Sequence, residues 1–382
     1  MHTRILALTT CMLLACFLIP AQAVELPDRE TVEDLAEQAE AWLLQQQQPD
    51  GSFFPGDQFK LGITQVATLA LLDAGQSPES ATISKAIDFI KRHVQDDGGI
   101  YNPQEGLGNY CTSLGLRALM RAEAADQELI ERAQNYLIGI QNTDEDSINY
   151  GGIGYGRRGE GHEDLSNTSM AIEALKQSGL PADHPAMQRA LQFVSRCQNL
   201  SATNDMDWAG NDGGGVYSPD SSMAMGSFHD GEQRQRPAES TGADVELNSY
   251  GSMTYALISS FIYLELQQGD PRVKAALDWT RRNYQFEVNP GMAAGSAREG
   301  LYYYYLMMGK TYDLTDTTSM QVDGSTVDWR ADLFQAIERR MQGGQGMALW
   351  INDMPRWGEG IPHLTTAYML TTLMRIHDSL PE

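Results

Sequence analysis

The sequence predicts an all-α protein: a closed α6/α6 toroid, with six inner helices forming a barrel and six outer helices around it. Three observations predict it. Helices that are apolar on nearly every side alternate with helices that are apolar along one stripe only. The connecting loops open on Gln and close on Gly and an aromatic residue, as in Gln47…Gly51-Ser52-Phe53 and Gln95…Gly99-Ile100-Tyr101. Three of the buried-type helices share one template: Thr64-x-x-Ala67-x-x-Ala70-Leu71, Thr112-x-x-Gly115-x-x-Ala118-Leu119 and Thr168-x-x-Ala171-x-x-Ala174-Leu175. Self-similarity at a period of roughly 46–57 residues overrides the two domains that length alone suggests. Helix pairs of this kind bury their core against neighbouring pairs.

Residues 1–23 read as a secretory signal. Arg4 supplies the positive start, Ile5 to Ile19 the apolar run, and Ala21-Gln22-Ala23 a small-residue cleavage site. The run is shorter than the ~20 residues of a spanning helix, so an exported protein without an integral membrane segment is expected. A lipoprotein site at Leu13-Leu14-Ala15-Cys16 is the minor alternative. Removal of the signal leaves Cys111 and Cys197, which are no disulfide framework.

Residues 24–382 then read as one toroid. The first outer helix, 31–47, sets Val32, Leu35, Ala36, Ala39 and Leu43 on one face. An inner helix over 62–74 ends at Gly75, and Ser77-Pro78 restart the chain as a cap and a first-turn Pro. Ile83, Ala86, Ile87, Ile90 and Val94 mark the next outer helix. An inner helix near 110–122 and an outer one near 126–141 follow, and Gly151-Gly152-Ile153-Gly154-Tyr155 closes their loop. The stretch from His162 to Leu175 supplies the third inner helix. His184-Pro185 and Asp270-Pro271 start two further outer helices, and another lies near 329–342. Inner helices are expected near 250–266, 300–310 and 364–376.

The rhythm breaks at about 199–248, a loop insertion rich in Asp, Gly, Ser and Met, of which 219–243 has the composition of a mobile segment. Its Asp205, Asp207, Asp212 and Asp220 match no calcium-loop spacing. With 51 Asp and Glu against 27 Lys and Arg, the net charge is −24. That balance argues against nucleic acid or an anionic membrane as partner, because phosphate binding depends on clustered cations. Protein partners stay unidentified.

The Gln…Gly-x-aromatic loops with their paired helices resemble the prenyltransferase and squalene-oxidase repeat of squalene-type terpenoid cyclases and protein prenyltransferases, over roughly residues 30–380. The resemblance implies a central cavity that opens where the inner helices begin and holds a small apolar, isoprenoid-like molecule. Cyclases begin one inner helix with Asp-x-Asp-Asp-Thr-Ala, whose middle Asp donates a proton. Asp164-Leu165-Ser166-Asn167-Thr168-Ser169 is similar in register, with Ser166 at the donor position. A hydroxyl is too weak an acid for that step. Protein prenyltransferases hold zinc through Asp-x-Cys and a His. Here Leu247-Asn248-Ser249-Tyr250 stands at the first position and His363 at the second. Leu247 and Ser249 do not replace those ligands, so no metal and no cofactor is expected. The Cys-Gly-Glu-Gln thioester sequence is absent.

Asp164, His162 and Asn167 are the catalytic candidates, although an acidic helix start equally fits capping. Tyr110, Cys111, Tyr250, Tyr304 and His363 are the cavity candidates. Tyr304 comes from the run Tyr302 to Tyr305, whose members point about 100° apart on a helix. Cys111 fits an inert small residue as well. The leading expectation is an exported terpenoid cyclase-like or prenyltransferase-like toroid holding an apolar ligand. The alternatives are a non-catalytic binding or scaffold module and a glycan-acting lyase-type enzyme. The cavity separates them: Trp, Tyr, Phe and Leu walls fit an isoprenoid, Arg, Lys and Asp walls fit a glycan, and a self-filled ring fits a scaffold.

Overall fold

The computed structural model describes residues 25–156, 162–224 and 247–381. The signal segment therefore lies outside the described residues, as does 225–243 of the stretch expected to be mobile. The start of that stretch is packed, with Ser222 and Ala224 buried.

Twelve α-helices lie among the described residues. Inner α2 (Lys60–Asp73), α4 (Gly108–Arg121), α6 (Leu165–Gln177), α8 (Gly251–Tyr263), α10 (Leu301–Leu314) and α12 (Pro362–Ser379) pack each against the next, and α12 returns to α2. The ring is closed. Outer α3 (Ala81–Lys91), α5 (Gln127–Gly139), α7 (Pro185–Arg196) and α11 (Trp329–Arg339) each bridge two inner helices, while α9 (Pro271–Arg282) backs α8 and α1 (Arg29–Gln45) backs α12. The alternation in the sequence follows from this geometry. α2 buries every residue from Leu61 to Leu72, whereas α1 buries only Val32, Leu35, Ala36, Ala39 and Leu43.

The recurring loop residues hold the ring in register. Gln47 donates to the carbonyls of Gly51 and Thr82, Gln141 to those of Gly151 and Ala186, and Gln198 to those of Gly213 and Arg272. One amide thus ties a loop to the start of the next outer helix. Gln95 departs from this, bonding the carbonyls of His93 and Tyr101. Gly51 and Gly151 sit at φ +92° and +86°, and a Cβ on either would fall 2.2 and 1.9 Å from the carbonyl oxygens of Lys85 and Arg189. Only glycine fits there.

The template threonines close the other side of each loop. Thr64, Thr112 and Thr168 accept hydrogen bonds from the backbone N–H groups of Phe53, Ile100 and Ile153 at 2.9–3.1 Å. Thr254 and Thr366 do the same for Gly215 and Trp350. Each satisfies a buried donor that neither helix nor sheet would pair.

Two details differ from the sequence reading. α3 starts at Ala81, capped by Ser80, because Ser77-Pro78 form a preceding turn in which the Ser77 carbonyl accepts from Ser80 N–H at 3.0 Å. Two small hairpins also flank α11: β1 (Ser319–Val322) with β2 (Ser325–Asp328), and β3 (Gln342–Gly344) with β4 (Met347–Leu349). Their turns, Asp323-Gly324 and Gln345-Gly346, have positive φ at both positions, the conformation a two-residue hairpin favours.

Candidate functional site

The inner helices enclose a cavity of about 570 Å³, within the range of small-molecule sites. Its wall is a stripe along each helix, and the spacing is regular. Tyr110, Leu114 and Arg117 line it from α4, Ser166, Met170 and Glu173 from α6, and Tyr303, Met307 and Lys310 from α10. The first and last of each set are seven residues apart, about 10 Å along a helix. The cavity therefore has three layers: a hydroxyl-rich mouth at the inner-helix N-termini, an apolar middle, and a charged floor.

Aromatic residues form the mouth. Phe59, Tyr155 and Trp357 line it and are 37%, 41% and 40% exposed, unusual for large apolar groups. Phe59 and Trp357 are also held in left-handed backbone, φ 64° and 56°, a strained state that costs about 1–3 kcal/mol and concentrates at functional positions. Beneath them the hydroxyls of Tyr368 and Tyr110 share a hydrogen bond, and the hydroxyls of Ser166 and Tyr303 are 3.1 Å apart. Burial pushes the Tyr110 phenol up to about 12 and raises that of Tyr303 further. These phenols stay protonated.

The middle layer is Val66, Leu69, Leu114, Met170, Met253, Leu306 and Met307. Ser169 lines the cavity at the same level, with its hydroxyl on the Ala256 carbonyl at 3.5 Å. The floor joins Asp73, Arg117, Glu173, Lys310 and Arg375 from five inner helices. Glu173 is fully buried; it pairs with Arg117 at 2.9 Å and with Lys310, and accepts from the Tyr263 hydroxyl at 3.0 Å. Burial drives its carboxyl up, but Arg117, Lys310 and Arg375 outweigh that and hold it down at about 2. Burial, abetted by the two arginines against the pull of Glu173, lowers the Lys310 ammonium to about 8.

The sequence candidates distribute as follows. Tyr110, Tyr250 and Asn167 line the cavity. Asp164 sits behind Asn167 as the N-cap of α6, its carboxylate accepting from Asn167 N at 2.8 Å and Asn167 Nδ2 at 2.7 Å. Burial raises Asp164 to about 6 against those bonds and one from Tyr217. The remaining oxygen of the Asn167 amide makes no hydrogen bond. His162 is exposed in the loop before α6.

Tyr304, Cys111 and His363 stand outside the wall. The helical phase turns Tyr303 inward and sends Tyr304 outward, where its hydroxyl bonds the Gln285 carbonyl at 2.8 Å. Cys111 is buried beside Gly62, and burial raises its thiol. His363 packs between Trp42 and Phe54 at 5.1 Å from each ring, and burial lowers its pKa. Among the described residues no three His, Cys, Asp or Glu side chains converge to hold a metal ion.

The sequence reading missed Glu359 and the charged floor. Glu359 lines the cavity and accepts from Tyr303 N at 2.7 Å and Asn352 Nδ2 at 2.6 Å. It caps α10, whose own N-cap residue Gly300 has no side chain. Burial lifts it to about 7. No local motif marks Glu359, but a seven-residue step from Tyr110 or Ser166 leads to Arg117 and Glu173.

No family model matches the chain, and neither does any curated protein. Solved structures do. The apo type II terpene cyclase MstE from Scytonema is similar with a TM-score of 0.56 at 13% identity, over 92% of this chain and 100% of that one. A variant of that cyclase in complex with geranylgeranyl dihydroxybenzoate, its substrate, gives 0.51 at 12% identity over 92% and 99%. A D-mannose isomerase gives 0.55 at 12% identity over 90% of this chain and 97% of that one. No helix among the described residues is long and apolar enough to cross a membrane. Likeness at these identities speaks to architecture, and the architecture is plain: the chain is an α/α toroid, the fold shared with the terpene cyclase and the sugar isomerase.

Proposed function

We propose that this toroid is an exported binding protein or enzyme of terpenoid cyclase-like architecture that holds an apolar, isoprenoid-like molecule in its central cavity. One observation carries the reading: a layer of Val, Leu and Met side chains lies between an aromatic mouth and the floor, open as a cavity of about 570 Å³. Burying such walls against a hydrocarbon gains roughly 25 cal/mol per Å², whereas most sugar hydroxyls placed there would go unpaired, with Ser169 as the polar side chain at that level. That weighs against the glycan reading, although a sugar isomerase shares the fold. The open volume weighs against a self-filled scaffold.

Asn167 and Tyr110 are the proposed ligand contacts at the mouth, and Asp164 positions Asn167. Export rests on the signal-like residues 1–23. The test is native mass spectrometry of the purified protein with lipid extraction, followed by titration with geranylgeraniol and detection by quenching of tryptophan fluorescence. A copurified apolar molecule, or saturable quenching that the variant Met170→Arg weakens about tenfold, the loss expected from placing an unpaired charge in that layer, is the expected result. Absence of both overturns the reading.

A further inference from the structure

The floor of the cavity has hydrogen-bond donors beyond those that its own carboxylates take up. Arg117 spends Nε on Gln177 at 2.9 Å and one terminal nitrogen on Glu173 at 2.9 Å. Lys310 gives one of its three protons to Glu173. Arg375 pairs through Nη1 with Asp313, while its Nε is buried with no hydrogen-bond partner. Three cations thus line the floor beside the carboxylates Glu173 and Asp73, with Asp313 behind the wall as the partner of Arg375. The other layers of the same stripes carry tyrosine, serine, leucine and methionine, so the charged side chains of these stripes are confined to the floor.

We infer that this floor seats the head group of the ligand, and that the head is a carboxylate, making the bound molecule a long-chain apolar acid. The inference rests on the apolar-ligand reading and deepens it. A carboxylate supplies two acceptor oxygens for the protons of Lys310 and Arg117 that Glu173 and Gln177 do not take, in charge-assisted bonds beside Arg375. The apolar chain then runs past Leu114, Met170 and Met307 to the aromatic mouth, about 10 Å along the helix axes.

The experiment compares three probes of one chain length, farnesol, farnesoic acid and farnesyl monophosphate, by calorimetric titration of the wild-type protein at neutral pH and low salt. Farnesoic acid is expected to bind about tenfold more tightly than farnesol, the gain of one or two charge-assisted bonds. Lys310→Met and Arg375→Gln are each expected to erase most of that preference while leaving farnesol affinity within about twofold. Equal binding of acid and alcohol to the wild type overturns the head-group seat and leaves the apolar cavity standing. Tighter binding of the monophosphate overturns the assignment to a carboxylate. Binding of none of the three overturns the cavity reading itself, and the seat with it. The wild-type comparison stands even where a variant fails to fold.

Discussion

At the scale of single residues, the threonine near the start of five of the six inner helices is a structural device with a measurable effect. Thr168 accepts from Ile153 N at 2.9 Å and donates to Ile153 O at 3.2 Å, all of it buried. Thr168→Val keeps the shape and strands the Ile153 N–H. We predict a loss of about 1–3 kcal/mol, the cost of a buried unsatisfied amide, read as a lower urea midpoint with an unchanged slope. Thr168→Ser keeps the acceptor and recovers most of it. An equal midpoint for Val and wild type would mean the loop finds another partner. Residue scale is also where the sequence was least legible. Tyr303 and Tyr304 are chemically identical, and only the phase of α10 decides that Tyr303 meets Ser166 while Tyr304 meets the Gln285 carbonyl. A helix start read within a few residues leaves that phase undetermined.

At the scale of elements, the inner helices were legible because the features that position them are local and repeated: Thr at the loop contact, Ala or Gly where neighbours approach, and Gln at the end of the preceding outer helix. The charged floor was not legible, because Arg117, Glu173, Lys310 and Arg375 meet across four helices and each alone reads as a solvated residue near a helix end. The hairpin turns carried a signal in Asp323-Gly324 that the helical period overshadowed. α6 offers a test of its acidic start. Asp164 caps this helix, yet burial lifts its folded pKa to about 6, above the ordinary 3.8 of an aspartate. Between those values the folded state binds the extra proton, so this group makes stability fall as pH rises from about 4 to 6. Asp164→Asn keeps a good N-cap residue and removes the titration. We predict that denaturant unfolding of the variant lacks this component of the decline over that window, so that the variant gains on wild type as pH rises through it. A wild-type and variant difference that stays flat from pH 4 to 6 would count against a buried, protonatable cap.

At the scale of the whole molecule, the toroid depends on closure, and closure depends on its last helix. α12 packs against α2, α10 and α1, and its buried face carries Leu364, Met369, Leu370, Leu373 and Ile376. Each such side chain contributes about 1.5–3 kcal/mol on burial, so the five together contribute roughly 8–15 kcal/mol. That is comparable to the ~5–15 kcal/mol that separates a folded domain from its unfolded chain. Cross-ring bonds add to it, with Arg29 near the chain's start bonding the Leu380 carbonyl at 3.4 Å and Thr371 bonding Asp73 at 3.5 Å. A repeat array open at its end would tolerate losing a terminal unit, because each repeat there needs only its neighbours. A closed ring would not, since removing α12 exposes α2 and α10 together and lets water into the cavity. We therefore predict that a chain ending before Pro362 loses its single sharp thermal transition by circular dichroism, binds a dye specific for exposed apolar surface, and takes up no geranylgeraniol. A truncated chain that still melted in one sharp step would show that the first five helix pairs are a self-sufficient array, and that α12 serves the cavity rather than the fold.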